Sequence, residues 1–365
     1  VLVAGFDAAT GIIMIVFSAG LGCCASVVNP FMILTSMDAA NIGPAHNMAG
    51  WTNLGLTDGV VFRLMIWVVF TAIGITFTTL YAKKVKADPK KSLVYDLREM
   101  HAKTFVFDST IVPELTKKRK WILVIFFSAF SLLILGAIPW DDFIPGHIFT
   151  HANDWLVNNF PFLSNGMGAL GAWDLVSFSL LFLAGTIIVA AIHWTGINNF
   201  YKDCLIGAKD FLNVALVIAV ARGLSLMLTN SGVNSEITGG IASALNINKI
   251  FGTLILFFAF IAISIFLPST SGLAYTVFGP IAAPALYSST VGYSVSGGIA
   301  SASIASGLAN LFSPSAPALA MGCEMAKVPF KYFYKTAWKL LLIILAAGII
   351  LLIVGVYLPK SIMGK

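Results

Sequence analysis

The sequence predicts an all-α polytopic membrane protein built from two inverted repeats with re-entrant hairpins and broken helices, and three observations predict it. Hydrophobic residues make up 58% of the 365-residue chain and charged residues 10%, with a mean hydropathy of +0.90, whereas soluble domains carry about 25% charged residues. Seven apolar runs approach the roughly 20 residues that a membrane helix needs. An ungapped offset of 287 residues lays the start of the chain onto its end. It pairs Gly5 with Gly292, Phe6 with Tyr293, Gly11 and Ile12 with Gly298 and Ile299, Gly20 and Leu21 with Gly307 and Leu308, Ser26 with Ser313, and Pro30 with Pro317.

Taken in order, the spans are 8–28, 60–82, 121–139, 175–193, 250–267, 293–312 and 336–358. The run 205–229 is apolar but interrupted by Lys209, Asp210 and Arg222. The run 268–289 is punctuated by Pro268, Gly272, Gly279, Pro280 and Pro284, and reads as a re-entrant hairpin. Irregular backbone survives at membrane depth only when buried in protein or lining a cavity. Each repeat copy breaks at a polar patch, Ser26-Val-Val-Asn29-Pro30 in one and Ser313-Pro-Ser315-Ala-Pro317 in the other. The offset places the counterpart of 268–287 before residue 1, so the sequence reads as the remainder of a longer first repeat.

Charge sets the orientation. Residues 83–120 hold eleven of the 22 Lys and Arg, which puts that segment in the cytoplasm. Loop 31–59 holds neither residue, and segment 140–174 has Asp141, Asp142, Asp154 and Asp174 but no Lys or Arg, so both read as external. Lys327, Lys331, Lys335 and Lys339, spaced by four, mark a second cytoplasmic stretch on one face of a membrane-surface helix. The two repeat copies then cross in opposite directions. The organisation is residues 1–82 as the remainder of the first repeat, 83–120 as a cytoplasmic linker, and 121–365 as the second repeat, with the hairpin near 268–289 and the broken helix near 293–317. The net charge of +6 points to no nucleic-acid partner, since half the basic residues sit in one loop.

No charged residue occurs between Lys249 and Glu324. A ligand there meets hydroxyls, amides and backbone. A helix that breaks within the membrane exposes N–H groups at one new end, which favour a carboxylate, and carbonyls at the other, which favour a cation. The candidate binding residues are Ser26, Asn29 and Pro30 from the first copy, and Ser269, Ser271, Gly272, Asn310, Ser313 and Ser315 from the second. Arg222 and Glu324 are the candidate charged partners, and Asp7, Asp58 and Glu236 are further acids. Small residues also serve simply to pack membrane helices. Cys23, Cys24, Cys204 and Cys323 show neither metal spacing nor a disulfide framework. Nucleotide-binding and soluble-hydrolase motifs are missing, and His193 is the one candidate histidine for an intramembrane hydrolase.

Gly5-Phe-Asp7, Asn29-Pro30-Phe31, the stretch from Tyr81 to Asp96, Ala221-Arg222-Gly223, Pro268-Ser-Thr-Ser-Gly272 and Asn310-Leu-Phe-Ser-Pro-Ser315 resemble the YfcC branch of the anaerobic C4-dicarboxylate carrier family, in the ion transporter superfamily. The resemblance spans nearly the whole chain. It implies two re-entrant hairpins, a scaffold domain and a homodimer working by an elevator motion in the cell membrane. The branch is grouped with basic amino acid antiporters, so the family name leaves the substrate open. The sequence departs from the pattern at Ser271, where a second glycine is expected, and its halves differ: Asn310 faces Cys23, and Asn29 faces Ala316. The expectation is a secondary transporter, not an enzyme, of an arginine- or ornithine-type amino acid. A C4-dicarboxylate is the alternative substrate. No cofactor is expected beyond a coupling Na⁺ or H⁺. A channel and an intramembrane hydrolase are the rivals from other classes.

Overall fold

The computed structural model describes residues 2–104, 115–138, 140–144, 146–161, 168–173, 175–209, 246–266, 270–289, 294–313 and 316–364, with 212, 227, 230–232, 236, 240 and 243 besides. Among them there is helix but no strand. The main helices are α1 (Ala8–Cys24), α2 (30–42), α3 (Val60–Ala87), α4 (Arg98–Thr104), α5 (Lys117–Ala137), α6 (Ile148–Asn159), α7 (Leu175–Ile192), α8 (Lys249–Phe266), α9 (270–288), α10 (Val295–Phe312), α11 (Pro317–Met325) and α12 (Phe330–Tyr357). All seven sequence-predicted spans fall on helices. Val60–Ala87, Lys117–Ala137, Val295–Phe312 and Ala337–Tyr357 are long and apolar enough to cross a membrane, and Ala8–Cys24, Val176–Ile192 and Lys249–Ile265 are shorter apolar helices. The protein is a multi-pass helical membrane protein.

The chain divides into two compact units, Val1–Asp108 with Val217–Lys365, and Ser109–Leu216. In the second, α5 packs on α7 with Phe130 and Phe182 in edge contact at 5.5 Å. The Gly136 carbonyl accepts from the backbone of Gly171 and Trp173. Asp141 caps α6 by accepting from Phe149 N, Thr150 N and the Thr150 hydroxyl. That hydroxyl bond is the main cause that holds its carboxyl below the usual range.

In the first unit α10 is the central helix, buried on nearly every side. Its composition explains this: Gly, Ala and Ser let neighbours approach closely, so a Cβ on Gly298 would fall 2.2 Å from Leu286. Neighbours α1, α8, α9 and α12 pack around it. Within 268–289 the described part is one helical run, α9. Phe278 lies against Phe260 with centroids 6.2 Å apart, so the chain doubles back between α8 and α9. Pro280 is accommodated because Ala274–Ala282 is wound as π-helix.

Three sequence expectations change. Residues 30–42, read as the start of a loop, form α2, because Asn29 caps its amino terminus and Pro30 fits the first helical position. The lysines do not form a separate surface helix. Lys327 sits in a turn with a left-handed φ of 51°, and Lys331, Lys335 and Lys339 lie on α12 itself, exposed on the turns that lead into the span Ala337–Tyr357. Part of the connector is folded rather than solvated: Val85, Val94 and His101 are buried, and His101 Nε2 lies 3.2 Å from the Lys327 carbonyl.

Candidate substrate site at two broken helices

The two segments paired by the 287-residue offset, on α1 and α10, meet beside their breaks. A Cβ on Gly20 would lie 2.3 Å from Leu311, and one on Gly307 would lie 2.4 Å from Cys24 N. Gly20 and Gly307 are partners under the 287-residue offset, and so are Cys24 and Leu311. The contact is therefore reciprocal, as across a twofold axis. As the position on α1 advances by four, its partner on α10 recedes by four, so the helices cross antiparallel. Ser303 Oγ adds a bond of 2.9 Å to the Cys23 carbonyl.

At the first break, Ser26 is buried and its hydroxyl donates to the carbonyls of Gly22 and Cys23 at 3.0 and 2.7 Å. Asn29 Nδ2 donates to Ser26 Oγ at 3.2 Å, and Asn29 Oδ1 accepts from Phe31 N at 2.8 Å. Arg63 completes the lock. It is 1% exposed, and its guanidinium donates to the carbonyls of Val27 at 2.9 Å, Asp58 at 2.7 Å and Leu56 at 2.6 Å. Sequence reasoning passed over Arg63, although a lone arginine four residues into an apolar span is the signal that singled out Arg222.

At the second break, Ser313 is buried and its hydroxyl donates to the Ile265 carbonyl at 3.3 Å, near the end of α8. One turn earlier, Asn310 is half-buried and spends Nδ2 on the Ser306 carbonyl at 3.0 Å. Its Oδ1 accepts no hydrogen bond among the described residues. Ser271 is buried on the first turn of α9, and the Gly272 carbonyl accepts from Thr276 at 2.6 Å. That turn packs against both α10 and the Pro30–Leu34 turn that follows the first break. The structure thus gathers Ser271 and Gly272 beside α10 and the restart of the first broken helix. Ser269, Ser315 and Arg222, and the side chain of Pro30, lie outside the described residues.

The acids divide by environment. Asp7 caps α1 and is saturated by Thr10, Tyr81 and Ser92, so it is architectural. Glu236 and Glu324 are exposed, Asp58 is half-buried, and His193 is exposed at the end of α7. A further acid went unnoticed in the sequence: Asp38, on α2 beyond the first break, accepts from Tyr275 Oη of α9 at 2.7 Å. Reading Asn29-Pro30 as a helix restart would have exposed it. No cluster of His, Cys, Asp and Glu suited to a metal ion occurs among the described residues, and all four cysteines are free.

Two interrupted helices and their buried hydroxyls thus lie within a multi-pass helical membrane protein. The model of the C4-dicarboxylate anaerobic carrier family, DcuC, matches residues 1–357, and the chain belongs to that family. An uncharacterized protein of Haemophilus influenzae is 26% identical over 363 residues, 98% of this chain and 62% of its own length. An Escherichia coli protein named "Putative basic amino acid antiporter YfcC" is 22% identical over 255 residues, 66% of this chain and 41% of its own. The chain thus spans less than two thirds of either relative. No solved structure matches.

Proposed function

We propose that the protein is a secondary active transporter of a small carboxylate-bearing solute, an amino acid of the arginine or ornithine type, and that it lies in the cell membrane with 83–120 on the cytoplasmic side. The observation that carries this is the reciprocal antiparallel crossing of α1 and α10 at their breaks, which supports an inverted repeat with the site at its centre. Asn310, Ser313, Ser271 and Gly272 hold the carboxylate or a coupling Na⁺ through amide, hydroxyl and backbone groups. Asp38 favours a cationic solute, since an acid facing the hairpin arm suits an ammonium or guanidinium. The family description favours the second reading, a C4-dicarboxylate. Ser26, Asn29 and Pro30 shape the break, and a homodimer working by an elevator motion remains part of the proposal.

The test is counterflow with the full-length protein in proteoliposomes. Ornithine-loaded vesicles that accumulate labelled arginine establish the amino acid reading. Succinate-loaded vesicles that accumulate fumarate establish the dicarboxylate reading. Flux without stimulation by internal solute would instead indicate a channel.

A further inference from the structure

We propose that a cavity of about 640 Å³ in the first unit, at the ends of α3 and α12 away from their lysines, is a binding vestibule for an α-amino acid, distinct from the breaks. The identity of the solute rests on the transporter reading above. The volume falls within the range of about 300–1,000 Å³ typical of small-molecule sites.

Its walls are fixed before a ligand arrives. They come from residues 51–58, the start of α10 and the tail after α12. Ser296 Oγ donates to the Asp58 carbonyl at 2.7 Å, the same oxygen that Arg63 holds, and Ser294 Oγ donates to the Met363 carbonyl at 3.2 Å. Gly59 adopts a left-handed φ of 68°, and a Cβ there would lie 2.3 Å from Ser296 Oγ. On Gly364, φ 71°, a Cβ would lie 2.5 Å from Gly59 N. The segments therefore meet backbone to backbone, and preorganised walls lower the cost of binding.

Beneath the lining lies a donor short of a partner. Trp51 Nε1 is buried and has no acceptor among the described residues. Its ring stands edge-on to Tyr287 at 5.1 Å, whose hydroxyl is taken by the Ala49 carbonyl at 3.1 Å. A buried indole N–H usually has a partner. Lys360 and Asp58 bring opposite charges to the same cavity, over an apolar floor that includes Leu286 and Val295. A zwitterion matches the two charges: its carboxylate meets Lys360, and its ammonium meets Asp58, whose Oδ2 also accepts from Gly55 N at 2.9 Å. A dianion leaves Asp58 opposed. The loop that builds the cavity belongs to one copy only. Seventeen residues separate α2 from α3, but four separate α11 from α12.

Full-length protein purified in detergent presents both faces. Ser361→Cys, or Ser289→Cys as a second reporter, is introduced over Cys204→Ser, and labelling by a charged maleimide is timed with arginine, ornithine or succinate. Arginine and ornithine should slow labelling several-fold. Lys360→Gln should raise the concentration needed by about 5- to 10-fold, the worth of one hydrogen bond, and Asp58→Asn should act likewise on the ammonium side. Labelling unaffected by every solute, or slowed by succinate alone, overturns the proposal. Exchange without protection sinks the vestibule and spares the transporter, and protection without exchange does the reverse.

Discussion

At the first break the polar side chains Ser26 and Asn29 are both committed to neighbouring groups, whereas near the second Ser313 is committed but Asn310 uses only its amide nitrogen among the described residues. At the first break Ser26 and Asn29 bond each other and the neighbouring backbone, and Arg63 takes the Val27 carbonyl. Near the second, no charged side chain occurs between Lys249 and Glu324, and the Asn310 oxygen accepts no bond among the described residues. The two breaks therefore differ in their bonding: the first is closed by bonds among its own side chains and Arg63, and near the second one amide oxygen, Asn310 Oδ1, accepts none among the described residues.

Arg63 should give the largest effect. Its removal strands the Val27 and Leu56 carbonyls, while the Asp58 carbonyl keeps Ser296, and should cost about 1–3 kcal/mol for each stranded group, read as a fall in the thermal midpoint of the purified full-length protein. Arg63→Lys should recover little, since one ammonium does not reproduce the three-way fork. Full recovery by lysine would mean that charge, not geometry, secures the first break.

The glycine pair tests the crossing. Gly307→Ala places a methyl against the Cys24 backbone, which cannot turn aside, and should cost about 1–3 kcal/mol. Gly20→Ala meets the buried Leu311 side chain, with its Cγ 2.4 Å from the added methyl, and should cost less than a backbone clash, about 1 kcal/mol, since a side chain gives more readily than backbone. Equal costs would show that the contact is not as drawn.

Asn29→Ala removes a cap and should cost about 1 kcal/mol. Asn310→Ala loses one bond within its own helix and should change the midpoint less. The smallest effect is at Asp141. Its carboxyl is held below the ordinary value in the folded state, so its contribution is complete above that value and is lost as pH falls through the lowered one. Hydrogen exchange at Phe149 and Thr150 should quicken only in acid, and Asp141→Asn should remove that dependence.

Much of this was legible in the sequence. Apolar length located seven helices, four of them long enough to cross a membrane, and the 287-residue offset paired Gly20 with Gly307 without revealing their contacts with Leu311 and Cys24. What escaped had local causes. The restart at Asn29-Pro30 was hidden because 31–59 was read by its lack of positive charge rather than by its cap, and Asp38 was lost with it. Arg63 was masked by the hydropathy of its neighbours. The lysine period of four is correct for a helix, but periodicity does not reveal that the helix continues into a span. The unequal commitment of Asn29 and Asn310 depends on which backbone groups lie nearby, which no pattern of residue types encodes.

The central claim is that the second break, through Asn310, is where the solute or its coupling ion is held. It is tested most directly by counterflow in proteoliposomes with full-length Asn310→Asp beside the unaltered protein. The account predicts normal expression and a nearly unchanged thermal midpoint, with a clear shift in exchange rate or in preference among solutes and ions. Exchange identical in rate and selectivity would contradict it and remove Asn310 from the site.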